Sequence, residues 1–171
     1  MHPLLEVQSR NVIMAALLVG ILLLFRVSTD GARLATISAE NFTTGSVVLV
    51  SGETREGVRS LIVNLASKVD KQILFHFNPR FLKKSSRDFK KVYRNAKLNN
   101  TWGTEEFGGD FPFSEASNFT IMIVCQSEGF RVFVDQAPKF FFAHRHLAES
   151  VDIVYVEGNS TDIILNDVGV Y

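Results

Sequence analysis

The residues whose types and spacing can do chemistry lie between His76 and Glu105. In Phe75-His76-Phe77-Asn78-Pro79-Arg80-Phe81 the odd positions are apolar or Pro, and the even positions are His, Asn and Arg. Side chains of a strand alternate faces, so His76, Asn78 and Arg80 project from one side about 7 Å apart, while the Phe residues anchor the other side in a core. Imidazole, carboxamide and guanidinium in a row offer donors and acceptors suited to the hydroxyls of a small polar ligand. A solvated strand face of mixed polarity has the same pattern, and the heptapeptide alone does not separate the two. Pro79 lacks an amide hydrogen and so belongs near a strand end or on an unpaired edge.

Downstream stand Tyr93, Asn95, the single Trp102 and Glu105. Asn95 shares a face with Tyr93 by alternation, and Asn99-Asn100 breaks the strand before Trp102-Gly103. A Trp in a turn is commonly a hydrophobic plug. This one has polar neighbours, and an exposed indole face carries negative π density that attracts the polarised C–H groups on the apolar face of a sugar. A platform beside a row of hydroxyl readers grips a monosaccharide without a metal. Glu105 can accept hydroxyl hydrogen bonds and hold Arg80 in a charge-assisted pair that fixes the guanidinium plane.

Such groups must be carried on rigid strands, and the composition supplies them. The 171 residues are 46% apolar and 21% charged, a folding composition, with fifteen Phe against one Trp and three Tyr, a bias toward pleated, half-buried surface. From about residue 37 onward, short runs at 46–51, 58–66, 72–78, 89–95, 119–126, 130–135, 139–145, 151–156 and 162–168 are separated by turn residues such as Gly52-Glu53, Glu128-Gly129 and Gly158-Asn159. None shows helical periodicity. The pattern predicts an all-β domain, a sandwich or jelly roll of antiparallel sheets, rather than βαβ units. Cys125 alone forms no disulfide framework and no zinc cluster; it shares a face with Phe119, Ile121 and Ile123 and is expected as a buried core thiol.

The N-terminus differs in kind. Residues 12–25, VIMAALLVGILLLF, are fourteen apolar positions without a charge, bracketed by Arg10 and Arg26. Fourteen lies between the ~7–15 residues of a signal-peptide core and the ~20 of a membrane span. The expected organisation is therefore a signal peptide or N-terminal membrane anchor over 1–26, a linker over 27–36 and a single domain over 37–171. Four N-x-[ST] triplets, at Asn41, Asn99, Asn118 and Asn159, arise from only ten Asn, which also favours the secretory pathway, with a secreted or membrane-anchored glycoprotein as its product.

The ordered set HFNPRF, Val92-Tyr93-Arg94-Asn95, WGTEE and Phe111-Pro112-Phe113 resembles the galectin family of β-galactoside-binding lectins over roughly residues 37–171. The resemblance implies a jelly-roll sandwich of two antiparallel sheets that binds carbohydrate with no metal and no cofactor. It implies that His76, Asn78 and Arg80 read the axial hydroxyl and ring-oxygen region of galactose. Asn95 and Glu105 would read the exocyclic hydroxymethyl, and Trp102 would stack beneath the ring. Two departures stand out. Where the family commonly carries a second Arg, two residues after the Glu, this chain has Phe107, which removes a donor to the second saccharide and leaves Glu105 with Arg80 as its expected partner. Tyr93 stands at a position usually small and aliphatic. Weakened lactose binding or a shifted preference is expected.

Residues 80–97 hold eight basic side chains (Arg80, Lys83, Lys84, Arg87, Lys90, Lys91, Arg94, Lys97) and one acid, Asp88, a local net of +7 in a chain of net charge zero. A sulfated or sialylated extension of the glycan suits such a run, as does a merely solvated loop. Nucleic acid is disfavoured because the run lacks interleaved aromatic platforms. His144-Arg145-His146 has no third metal ligand and is expected to be structural, and the carboxylates Asp135, Glu149, Asp152 and Glu157 are not spaced as a glycosidase pair. Three functions remain open, a β-galactoside lectin of glycoproteins or glycolipids first among them. A degenerate galectin-like protein-interaction module is the second, and a fragment of a Golgi galactosyltransferase is the third and least favoured. No enzyme activity is expected of the domain itself, and the oligomeric state stays open.

Overall fold

Alternation is plainest in β-strands such as Val47–Thr54 and Ser117–Cys125. In Ser117–Cys125 the side chains of Phe119, Ile121, Ile123 and Cys125 are buried while those between them are not, because successive Cβ atoms leave opposite faces of a strand. The computed structural model describes residues 32–171, so the apolar run at 12–25 and the expected leader lie outside the described residues. Among the described residues no helix is long and apolar enough to cross a membrane.

Twelve strands are formed by the described residues: β1 Ala32–Ser38, β2 Val47–Thr54, β3 Leu61–Ser67, β4 Gln72–Arg80, β5 Lys91–Leu98, β6 Thr101–Trp102, β7 Glu106–Phe107, β8 Ser117–Cys125, β9 Gly129–Val134, β10 Ala137–Ala143, β11 Ile153–Gly158 and β12 Ile163–Val170. They make two antiparallel sheets. One runs β1-β11-β3-β4-β5-β6 with β7 also on β5, and the other runs β10-β9-β8-β2-β12. Among the described residues a single 3₁₀ turn, Ala148–Ser150, interrupts the β pattern. This is the all-β jelly-roll sandwich that the residue pattern and the resemblance predict.

The core lies between the sheets and is aromatic at its centre. Phe75 of β4 stacks on Phe130 of β9 at 5.1 Å and on Phe142 of β10 at 5.0 Å, and all three are buried. The odd positions of the β4 heptapeptide thus anchor the strand, as alternation requires. Pro79 sits at the last position but one of β4, opposite Val92, where the ladder is about to open.

The strand bounds differ from expectation where backbone conformation intervenes. β5 starts at Lys91 rather than 89 because Lys90 adopts a left-handed φ of 47°, which turns the chain into the sheet. The segment 32–36, expected as linker, belongs to β1, which pairs with β11 in register Ala32↔Gly158 to Ser38↔Ile153. Its sequence ARLATIS, on the sheet's edge, has little alternation to betray it. The two-residue strands β6 and β7 are too short for periodicity to reveal.

Candidate functional site

β4 and β5 pair in the register His76↔Asn95, Asn78↔Tyr93 and Arg80↔Lys91. Directly opposed residues share a face, so the even positions of β4 and the odd positions of β5 form one polar surface, turned away from Phe75 and Phe77. Leu98 and Thr101 close a two-residue hairpin in which Asn99 and Asn100 have φ of 49° and 61°, the left-handed pair that Asn tolerates and that matches strand twist. The hairpin sets Trp102 opposite Lys97, on the same face as Asn95. Its indole meets His76 edge-on at 5.0 Å and stays 46% exposed, a platform rather than a plug.

His76, Arg80, Asn95, Trp102 and Glu105, with Gly103, line one open cleft of about 320 Å³. Asn78 stands between His76 and Arg80 on the same strand face, nearly buried, with its side-chain oxygen unpaired. A larger hollow of about 700 Å³ lies beside the 81–90 loop, lined by Val58, Phe81, Leu82 and Phe89 among others, and holds none of these residues.

His76, Asn95 and Arg80 are each held by a second side chain. His76 Nδ1 lies 2.7 Å from Asn64 Oδ1, and a carbonyl oxygen only accepts, so Nδ1 carries the proton. Asn64 is fixed in turn because its Nδ2 donates to Glu157 at 3.2 Å. Burial, aided by the charge of Arg80, lowers the imidazole to about 4. The ring is neutral at physiological pH and its Nε2 is a hydrogen-bond acceptor. Asn95 donates from Nδ2 to the Gly103 carbonyl at 2.9 Å, while its Oδ1 accepts from Arg145 Nη1 at 2.9 Å and from the Ala96 amide at 2.8 Å. One N–H of the carboxamide is left for a ligand. Arg145 also donates to Glu106 at 2.8 Å. A Cβ at position 103 would come within 2.7 Å of Arg145 Nη1, so Gly103 gives this brace its room.

The expected Arg80–Glu105 pair is not the one formed. Arg80 Nη1 bonds Asp88 at 3.1 Å and its guanidinium lies 4.0 Å over the Tyr93 ring, whose hydroxyl donates to the same Asp88 at 2.6 Å. Turn bonds from Ser86 and Phe89 to the carbonyls of Lys83 and Ser86 fold the loop back, and this brings Asp88 to Arg80. The Tyr93 hydrogen bond, then the Arg80 charge, hold the Asp88 carboxyl below its ordinary value. Glu105 lines the cleft, and its neighbour Glu106 takes the ion pair, with Arg145.

Residue patterns missed three supports. Asn64 shows only as a polar residue in an apolar strand, Asp88 only as the one acid of the basic run, and Arg145 only as the middle of His144-Arg145-His146. His144 Nε2 donates to the Gln126 carbonyl at 2.8 Å and its ring packs edge-on against Phe130, a structural placement.

An indole platform, a neutral imidazole acceptor and braced amide and guanidinium donors share one face of a two-sheet jelly roll, a set of groups whose chemistry suits a carbohydrate. A profile of the family described as galactoside-binding lectin matches residues 33–166, and the chain belongs to that family. It is a family of carbohydrate-binding lectins, not of enzymes. The chain is 37% identical over 107 residues to a 32 kDa β-galactoside-binding lectin of Caenorhabditis elegans, covering 63% of this chain and 36% of that protein. It is 30% identical over 127 residues to galectin-4 of Bos taurus, covering 73% and 37%. The chain thus spans about two-fifths or less of the length of these curated relatives. Its fold is similar to that of the galectin LEC-6 of C. elegans, with a TM-score of 0.70 at 21% identity over 83% of this chain and 94% of that one. Sheep galectin-11, solved in complex with glycerol, gives 0.69 at 21% identity over 80% and 96%.

Proposed function

We propose that the protein binds β-galactoside-containing glycans of glycoproteins or glycolipids without a metal. The observation that carries this is the convergence of His76, Arg80, Asn95, Trp102 and Glu105 on one open cleft. Trp102 stacks under the sugar. His76 accepts a hydrogen bond from the axial hydroxyl at Nε2, with Asn78 and Arg80 beside it toward the ring oxygen. Asn95 and Glu105 read the hydroxymethyl group.

Specificity is altered by Phe107, which stands where a second Arg is usual in galectins. A charged hydrogen bond is worth roughly 1.5–3 kcal/mol, so its absence lowers lactose affinity by one to two orders of magnitude. Exposed Lys83, Lys84, Arg87 and Lys90 on the 81–90 loop favour anionic extensions of the glycan. The apolar run at 12–25 and the four sequons favour entry into the secretory pathway, with the domain displayed on a membrane or released.

The test is a glycan-array screen of the protein made in secretory cells, alongside Trp102→Ala and Glu105→Ala. Signal on galactose-terminated glycans that both substitutions abolish is the expected result. An array that stays silent with a folded, monodisperse sample overturns the proposal.

A further inference from the structure

Phe107 is 57% exposed, yet it is not loosely placed. It pairs with Tyr93 across β5 and β7, so its side chain leaves the sheet on the face that carries His76, Asn78, Arg80 and Asn95, two residues beyond Glu105. Its ring centroid is 5.5 Å from that of Tyr93, and Lys91 Nζ is 5.0 Å from it. Tyr93 is buried, tied through its hydroxyl to Asp88, and carries the Arg80 guanidinium on its ring. The wall of the cleft therefore continues outward from Arg80 through Tyr93 to an open phenyl surface.

Asp88 engages two donors of this wall. Arg80 Nη1 and the Tyr93 hydroxyl both bond Asp88. What the wall presents beyond the first sugar is an apolar aromatic face. We propose that Phe107, on its Tyr93 base, is a specificity-determining residue that recognises the second unit of the ligand by stacking. The preferred ligands are β-galactosides whose aglycone is aromatic or offers a continuous apolar C–H face. This rests on the galactoside reading above and supplies the chemistry that replaces the missing donor. The cations Arg80 and Lys91 lie against the two rings, and the phenyl contact itself is apolar, so the preference for it does not depend on ionic strength.

Isothermal titration of the protein with methyl β-galactoside and with phenyl β-galactoside tests this, in parallel with Phe107→Ala and Phe107→Trp. The phenyl glycoside binds roughly three- to tenfold tighter than the methyl glycoside, the range of one aromatic contact. Phe107→Ala brings that ratio close to one, Phe107→Trp keeps it, and added salt leaves it unchanged. Equal affinities for the two glycosides in the unaltered protein, a ratio that survives Phe107→Ala, or one that collapses in salt overturns the inference and leaves galactoside binding intact. Failure of both glycosides to bind overturns the galactoside reading and this inference together.

Discussion

At His76 one hydrogen bond decides what the cleft can read. The proton on Nδ1 is donated to Asn64, which leaves Nε2 as the acceptor, and burial keeps it so by lowering the imidazole to about 4. Galactoside affinity is therefore expected to stay level from pH 8 to about 5.5 and to fall as pH approaches 4, where protonation turns the acceptor into a donor. Titrations across that range check this; an acid limb centred near the ordinary value of 6.5 would mean a solvated imidazole. The same shift bears on stability. A folded value below the unfolded one means that the unfolded chain binds more protons between the two. The contribution of neutral His76 is complete above about pH 6.5 and is lost as pH falls from there through about 4.

Among the elements, β4 has the most to hold, because one strand carries core phenyl rings on one face and His76, Asn78 and Arg80 on the other. Phe75 is fully buried and stacked on two rings of the opposite sheet, so Phe75→Ala is expected to cost about 3–5 kcal/mol in chemical denaturation, with loss of binding following from unfolding. A loss under 1 kcal/mol would contradict the packing described. β5 holds a second feature of interest. Arg94 faces inward opposite Phe77, lies over Phe140 at 5.0 Å and leaves Nε and Nη1 buried without hydrogen-bond partners, and burial lowers its guanidinium from the ordinary value. The hairpin at Asn99-Asn100 and the turn at Lys90 set where β5 begins and where Trp102 lands; both depend on left-handed backbone more than on hydrophobic pattern.

Across the molecule, charge is distributed by the fold rather than by the sequence run. Of the eight basic residues in 80–97, Arg80 is paired with Asp88, Arg94 is buried, Lys91 lies against Phe107 and Lys97 is half-buried on β5 opposite Trp102, which leaves Lys83, Lys84, Arg87 and Lys90 exposed on the loop. If these four attract anionic extensions, affinity for a sulfated galactoside falls as salt rises from about 50 to 500 mM, since the Debye length shrinks over that range, while affinity for a neutral galactoside does not. Titration of both ligands at the two salt concentrations checks this. Equal salt dependence of the two ligands would leave the loop a solvated surface.

The sequence by itself determined the sandwich and the polar row, because both rest on period two: Phe75, Phe77 and Phe81 must go inward if His76, Asn78 and Arg80 go outward. It also carried the family's motifs, whose order places Asn95, Trp102 and Glu105 with them. Only the tertiary structure decided the partners. Asn64 reaches His76 across twelve residues, Arg145 reaches Asn95 across fifty, and Asp88 displaces Glu105 as the partner of Arg80 through the fold of one loop. Local alternation fixes which face a side chain leaves from, whereas the partner it meets there is set by strand register and loop closure, which bring together residues far apart in the chain.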